Sequence, residues 1–146
     1  MTVTALQITN ELDRLCLLTA SDFASLSLAG PNGQRLQWQY AYGNRNDRYQ
    51  RMVVKPGVGP DGLSLRTGKP VIWHEQDKRS GNLPGECPLL SAEQLQSAAV
   101  VPLLQGHTVI GLLLAARRSL TPYTSDDLSL ILQELPAMNL LLHNVT

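Results

Sequence analysis

Cys87 carries the strongest intrinsic reactivity in the chain, and it stands in a run rich in proline and glycine, Leu83-Pro-Gly-Glu-Cys-Pro-Leu89. A thiol there would serve as a nucleophile or as a chromophore attachment point only with an activating neighbour, and no histidine lies beside it in sequence. His74, His107 and His143 fall on a strand end, a turn and a helix end. No two of them stand at metal-ligand spacing, so no metal site is expected. Gly57-Val-Gly-Pro-Asp-Gly62 matches the three-glycine dinucleotide pattern in form. That motif needs a βαβ unit of about thirty residues, whereas the helix after this turn lasts barely two turns and the flanking hairpins read as antiparallel. The same run suits a simpler chemistry: a helix N-terminus bared after a glycine turn offers amides to a small anion. Trp38, on the inner face of a strand, is either a ligand platform or plain core. Arg45, Arg48, Arg51 and Lys55 form the local basic cluster, either a solvated edge or a docking surface. The residues therefore point to binding, with no catalytic group, metal or cofactor expected.

Composition narrows the partners. Twelve basic and twelve acidic residues cancel over 146 residues, so no global field draws nucleic acid, membrane or acidic ligands. With 43% hydrophobic and 16% charged residues, the chain is an ordinary globular sequence long enough to bury a core. Its apolar runs fall short of a membrane span, and no signal pattern opens it. A cytoplasmic location is expected. The two cysteines, Cys16 on a helix and Cys87 in a loop, are expected to stay free in a reducing compartment.

The elements that must position these residues read in order. Apolar spacing predicts a helix over Leu6 to Leu18, with Leu12, Leu15, Cys16 and Leu18 or Ile8 near its buried face, ending at Ser21-Asp22. Phe23–Ala29 and Leu36–Tyr42 alternate as half-buried strands around Pro31-Asn-Gly33, a hairpin in which Leu36, Trp38, Tyr40 and Tyr42 share one face. A polar loop follows, with a helical turn near Asp47, then a short strand Arg51–Val54. The glycine turn opens a short helix that stops at Thr67-Gly68, where a left-handed C-cap is wanted, and a strand Val71–His74 comes next. Glu75 to Leu95 reads as a long irregular loop, functional or mobile. Ala98–Leu104 and Val109–Ala116, joined by Gln105-Gly-His, predict a second, central hairpin. Thr124 or Ser125 caps a last helix with Asp126 and Asp127 in its first turn and Leu128, Ile131, Leu132, Leu135, Met138 and Leu142 at helical spacing. Pro136 is expected to kink or interrupt that helix. The order implies a mixed α/β (α+β) domain: an antiparallel sheet, terminal helices on one face, a ligand pocket on the other. No linker or repeat divides it, so one domain over residues 1–146 is expected.

These residues resemble the GAF domain family over nearly the whole chain. Four features carry the likeness: Gly59-Pro-Asp-Gly62 followed by Leu65-Arg-Thr-Gly-Lys-Pro-Val71; Ser97-Ala-Ala-Val-Val-Pro-Leu103; Val109-Ile-Gly-Leu-Leu113; and Tyr123-Thr-Ser-Asp-Asp-Leu128. Trp38-Gln-Tyr and Gly43-Asn-Arg-Asn-Asp-Arg-Tyr-Gln-Arg51 are similar to the stand-alone nitrate-receptor (NreA-type) GAF proteins. That resemblance implies a small-ligand sensor working with a sensor histidine kinase, and a pocket built here from Trp38, then Pro60, Asp61 and Gly62, then Cys87, Pro88 and Leu89. It departs from the family at Pro60-Asp61, where small or aliphatic residues stand in the family. Proline donates no amide hydrogen, and a carboxylate at a helix start can take the free amides itself. The expectation is a diverged pocket in which Asp61 repels nitrate.

Two further readings stay open on the sequence. GAF-fold reductases of free methionine sulfoxide use several pocket cysteines, of which Cys87 alone has a counterpart here. A ligand-free structural module is the other, with homodimerisation through the terminal helices, since Leu140-Leu-Leu142 cannot all face one core. No kinase, cyclase or DNA-binding segment is present, so the signalling partner is expected to be another chain.

Overall fold

The computed structural model describes residues 2–29, 35–76 and 87–143. Its elements are helix α1 (Val3–Thr19), strands β1 (Phe23–Ala29) and β2 (Leu36–Tyr42), helix α2 (Gly59–Thr67), strand β3 (Val71–His74), helix α3 (Pro88–Ala92), strands β4 (Ser97–Gln105) and β5 (Thr108–Arg117), and helix α4 (Ser125–Leu142). The five strands form one antiparallel sheet in the order β2-β1-β5-β4-β3. The expected α+β architecture is what forms. Among the described residues, no helix is long and apolar enough to cross a membrane.

Both faces of the sheet are covered, and side-chain alternation sorts residues between them. Ala99, Val101, Leu103, Leu113 and Ala115 join Ile8, Leu12, Leu15, Ile131 and Met138 in the core beneath α1 and α4. Ala98, Val100, Leu112, Leu114 and Ala116 join Phe23, Trp38, Trp73, Cys87, Leu89 and Leu90 on the other side. Double coverage corrects the half-buried expectation for β1, which lies between β2 and β5: Ser25 and Ser27 are fully buried. The Ser25 hydroxyl donates to the Tyr40 carbonyl at 3.0 Å, and the Ser27 hydroxyl accepts the Leu112 amide at 3.2 Å.

β2 departs from simple alternation. Leu26 pairs with Tyr40 and Ser27 with Trp38, so Gln39 is an extra residue in a β-bulge. Leu36 and Trp38 therefore lie on the Cys87 side, while Tyr40 packs with the terminal helices and Ala41 with the Trp38 core. The single shared face expected for Leu36, Trp38, Tyr40 and Tyr42 is split at this bulge. The segment expected as a strand at Arg51–Val54 is a 3-10 turn at Arg48–Arg51 followed by an isolated bridge between Gln37 and Val53.

The helices are capped as their sequences dictate. Thr2 accepts the Ala5 amide at 3.0 Å, so α1 starts earlier than the apolar pattern alone suggests. Ile8, Leu12, Leu15 and Cys16 form its buried face, and Leu18 lies partly exposed. Thr124 and Asp127 form a capping box at the start of α4. That helix runs without interruption through Pro136, contrary to expectation. The proline is exposed, so the Leu132 carbonyl that loses its partner faces water, which replaces the missing amide. Leu132 is exposed rather than core, and of the three terminal leucines Leu142 is buried while Leu140 is 70% exposed. Part of the expected irregular loop is the short helix α3. The turn Pro31–Gly33 and the segment 77–86 lie outside the described residues.

Candidate functional site

Helix α2 begins in a turn whose glycines are each needed. Gly57 and Gly59 have φ of +80° and +71°, a region that side chains disfavour. The Gly57 amide donates to the Gly62 carbonyl at 2.8 Å, and the Val58 amide to the Lys55 carbonyl at 3.1 Å. Gly62 lets the Lys55 carbonyl lie directly against the helix, for a Cβ there would overlap that oxygen. At the other end Gly68 is left-handed (φ +70°) and donates to the Ser64 carbonyl at 2.8 Å. The N-cap, Val58, supplies no side-chain bond, and Pro60 in the first turn has no amide hydrogen. The first turn thus offers few donors.

Asp61 takes them. It is 3% exposed, and its carboxylate faces its own amide, the Gly62 amide and the Cys87 thiol. The Gly62 amide also donates to the Val58 carbonyl at 3.2 Å, so it is shared. One carboxylate oxygen, Oδ1, is buried with no hydrogen-bond partner. Burial raises the Asp61 pKa from 3.8 to about 6, and the Gly62 amide, the Cys87 thiol and its own amide oppose that rise without cancelling it. The local negative charge expected from sequence at this helix start is present and enclosed.

Cys87 is the residue before α3 and is 3% exposed. Burial first, and then the Asp61 charge, push its thiol well above the ordinary cysteine range, against the pull of the Leu90 and Leu89 amides. It stays protonated and donates towards the carboxylate. A thiol so placed is a poor nucleophile. Cys16, buried under α1, is likewise raised to about 12 by burial, and both cysteines are free.

Around this pair the face is apolar. Trp38, Cys87 and Leu89 belong to one buried cluster, and α2 packs on β3, β4 and β5 beside it. Of the residues singled out in the sequence, Trp38, Cys87 and Leu89 are buried in this cluster and Pro60, Asp61 and Gly62 are buried in α2, with Asp61 beside Cys87, while Pro88 is exposed. Two residues of the site were missed. Trp73 joins the cluster from β3, and its place in the alternating run Val71-Ile-Trp-His was the available signal. Glu93 is the other, and no local pattern marks it.

Glu93 fixes α3 over the sheet. Its fully buried carboxylate accepts the Arg118 guanidinium at 2.7 Å, the Arg45 amide at 2.8 Å and the Asn46 amide at 3.4 Å. Arg118 also donates to the Glu93 carbonyl at 3.0 Å and the Gly43 carbonyl at 3.1 Å. The loop after β2, the end of α3 and the end of β5 are thereby one hydrogen-bonded unit. The basic side chains Arg45, Arg48, Arg51 and Lys55 are all exposed, and Arg45 donates to Gln94 at 2.9 Å. Among the described residues, no three histidine, cysteine or acidic side chains gather as a metal site, and His74 is engaged with the Leu120 carbonyl at 2.6 Å.

The GAF domain family profile matches residues 6–136. No curated protein matches the chain. A mutated NreA protein from Staphylococcus aureus, described as altered in its nitrate binding site, is similar at 25% identity, with a TM-score of 0.67 over 85% of this chain and 97% of that one. The GAF domain of an Acinetobacter phosphoenolpyruvate-protein phosphotransferase is similar at 16% identity and a TM-score of 0.75, covering 99% of this chain and 84% of its own. A type II free methionine-R-sulfoxide reductase from Thermoplasma acidophilum is similar at 16% identity and a TM-score of 0.74, covering 97% and 92%. The last two likenesses concern the fold.

Proposed function

The chain belongs to the GAF domain family, and from that footing we propose that it is a non-enzymatic regulatory protein that senses a small ligand. Residues 1–146 act as one sensing unit. The pocket is bounded by Trp38, by Pro60, Asp61 and Gly62 at the start of α2, and by the Cys87–Leu89 segment, with Pro88 at its outer rim. The observation that carries this reading is Asp61: an ionisable group buried beside Cys87 of the apolar cluster, on the sheet face away from the terminal helices, is the mark of a candidate binding site. The likeness to NreA supports a role resembling that of a nitrate receptor in two-component signalling, with its ligand diverged and a sensor histidine kinase or a similar signalling protein as partner, in the cytoplasm. Exposed Leu140 in α4 supports a homodimer formed through the terminal helices. Nothing favours nucleic acid or membrane as a partner: basic and acidic residues balance, twelve of each.

The reductase reading is the weaker one, because the Cys87 thiol is held protonated by burial beside a carboxylate. The test is a thermal-shift and fluorescence screen of small anions, amines and metabolites against the purified protein. It is paired with native mass spectrometry of whatever co-purifies. Saturable stabilisation that weakens in Trp38→Phe is expected. Turnover of methionine sulfoxide that is lost on Cys87→Ser would overturn the reading.

A further inference from the structure

At the start of α2 the place where a small anion would sit is filled by a residue of the chain itself. The Asp61 carboxylate lies beside its own amide, the Gly62 amide and the Cys87 thiol, so this helix N-terminus already carries a tethered anion. What is left over is an acceptor: Oδ1, buried and without a partner. A buried carboxylate oxygen lacking a donor is costly, and a ligand that brings one satisfies it. The Cys87 thiol beside it belongs to the apolar cluster on this face of the sheet, and among the described residues no cationic side chain is paired with the carboxylate.

We propose that the Asp61 site takes a small cation bearing N–H donors, a protonated primary amine in chemical class, and excludes small anions. The ammonium donates to Oδ1, and its charge pairs with the carboxylate inside a low-dielectric face, where such a bond is stronger than in water. Nitrate meets Pro60, which has no amide hydrogen to donate, and a like charge in its place. This inference rests on the small-ligand-sensing reading and specifies its ligand class.

The test uses the full chain. Methylammonium chloride, potassium nitrate and potassium chloride are titrated at matched ionic strength and followed by tryptophan fluorescence, since both tryptophans lie in the site cluster. The wild type should respond saturably to methylammonium and not to nitrate. In Asp61→Asn, which keeps the shape and removes the charge, the methylammonium affinity should fall at least about tenfold, the size of one lost charge-assisted bond. In Asp61→Ala, with the like charge removed, nitrate should gain a saturable response. Circular dichroism and thermal unfolding of both variants confirm that they fold. A wild type that binds nitrate, or that shows no methylammonium response, overturns the proposal. If the wild type is silent but Asp61→Ala binds nitrate, the sensing fold stands and only the cation inference falls. If no variant binds either probe, both fall.

Discussion

Replacing Glu93 by alanine tests how the segment over the candidate site is held. The carboxylate is fully buried and receives three donors: the Arg118 guanidinium at 2.7 Å and the Arg45 and Asn46 amides at 2.8 and 3.4 Å. The truncation leaves the Arg118 head, whose side chain is only 16% exposed, without its counter-charge, and two amides without acceptors. Breaking a buried pair from one side costs about 3–5 kcal/mol. The Arg118 bonds to the Gly43 and Glu93 carbonyls persist, which places the expected loss near the lower figure, about 3 kcal/mol. Glu93→Gln keeps an acceptor for the amides and loses the charge, so about 1–2 kcal/mol is expected. Urea unfolding at neutral pH, followed by far-ultraviolet circular dichroism with the slope held common, reads both. Hydrogen exchange should show the amides of α3 and of Arg45 and Asn46 opening first. A Glu93→Ala protein within about 1 kcal/mol of wild type would refute the reasoning, because it would mean that the pair gives back in desolvation all that it gains. The double variant Glu93→Ala, Arg118→Met should recover part of the loss, since it removes the orphaned charge as well.

Three further outcomes are expected. Gly62→Ala should destabilise by at least about 3 kcal/mol, because its Cβ overlaps the Lys55 carbonyl and backbone must move; Gly68→Ala, with left-handed φ but open space around it, should cost about 1 kcal/mol, and equal losses in the two would refute the packing argument. Asp61 has a folded pKa of about 6 against an ordinary 3.8, so the folded state holds its proton more tightly and stability should fall as pH rises from about 4 through about 6, by up to about 3 kcal/mol. The Asp61→Asn protein should lack this slope, and parallel pH profiles for the two would contradict it. Finally, neither Cys16 nor Cys87 should react with a disulfide reagent at mildly alkaline pH in the native state, since both are buried with raised pKa values; rapid native labelling of Cys87 would remove the case for a protonated thiol, whereas both should label in denaturant.

Where the chain carries its own local signal, sequence and structure agree closely. Phe23–Ala29 and Leu36–Tyr42 keep the same bounds, because alternation and turn residues both mark them. The short helix before Gly68 and the cap at Thr124 follow from single residues with strong backbone preferences. What was hidden depends on partners distant in sequence. The bulge at Gln39 is set by how Leu26 and Ser27 register with β2, so counting alternate residues along one strand misplaces Tyr40. Pro136 is tolerated because of where it faces, which periodicity does not reveal when Leu132 beside it is also apolar. The Asp61–Cys87 contact joins residues separated by a long loop, and the family likeness, not spacing, brought them to one site. Glu93 and Arg118 meet across the fold with nothing local to flag them.

The bulge in β2 also bears on how the protein behaves at high concentration. β2 is an outer strand of the sheet, and an open strand edge is a template on which other chains polymerise. Along its first half that edge is occupied: the Trp38 amide donates to the Met52 carbonyl at 3.2 Å, and the Val54 amide reaches the Leu36 carbonyl at 2.8 Å. Beyond it, Gln39 throws the ladder out of step, so a flat incoming strand finds no continuous run of donors and acceptors to match. The residue that hides Tyr40 from a simple reading of the sequence thereby guards this margin of the sheet against fibre-like association.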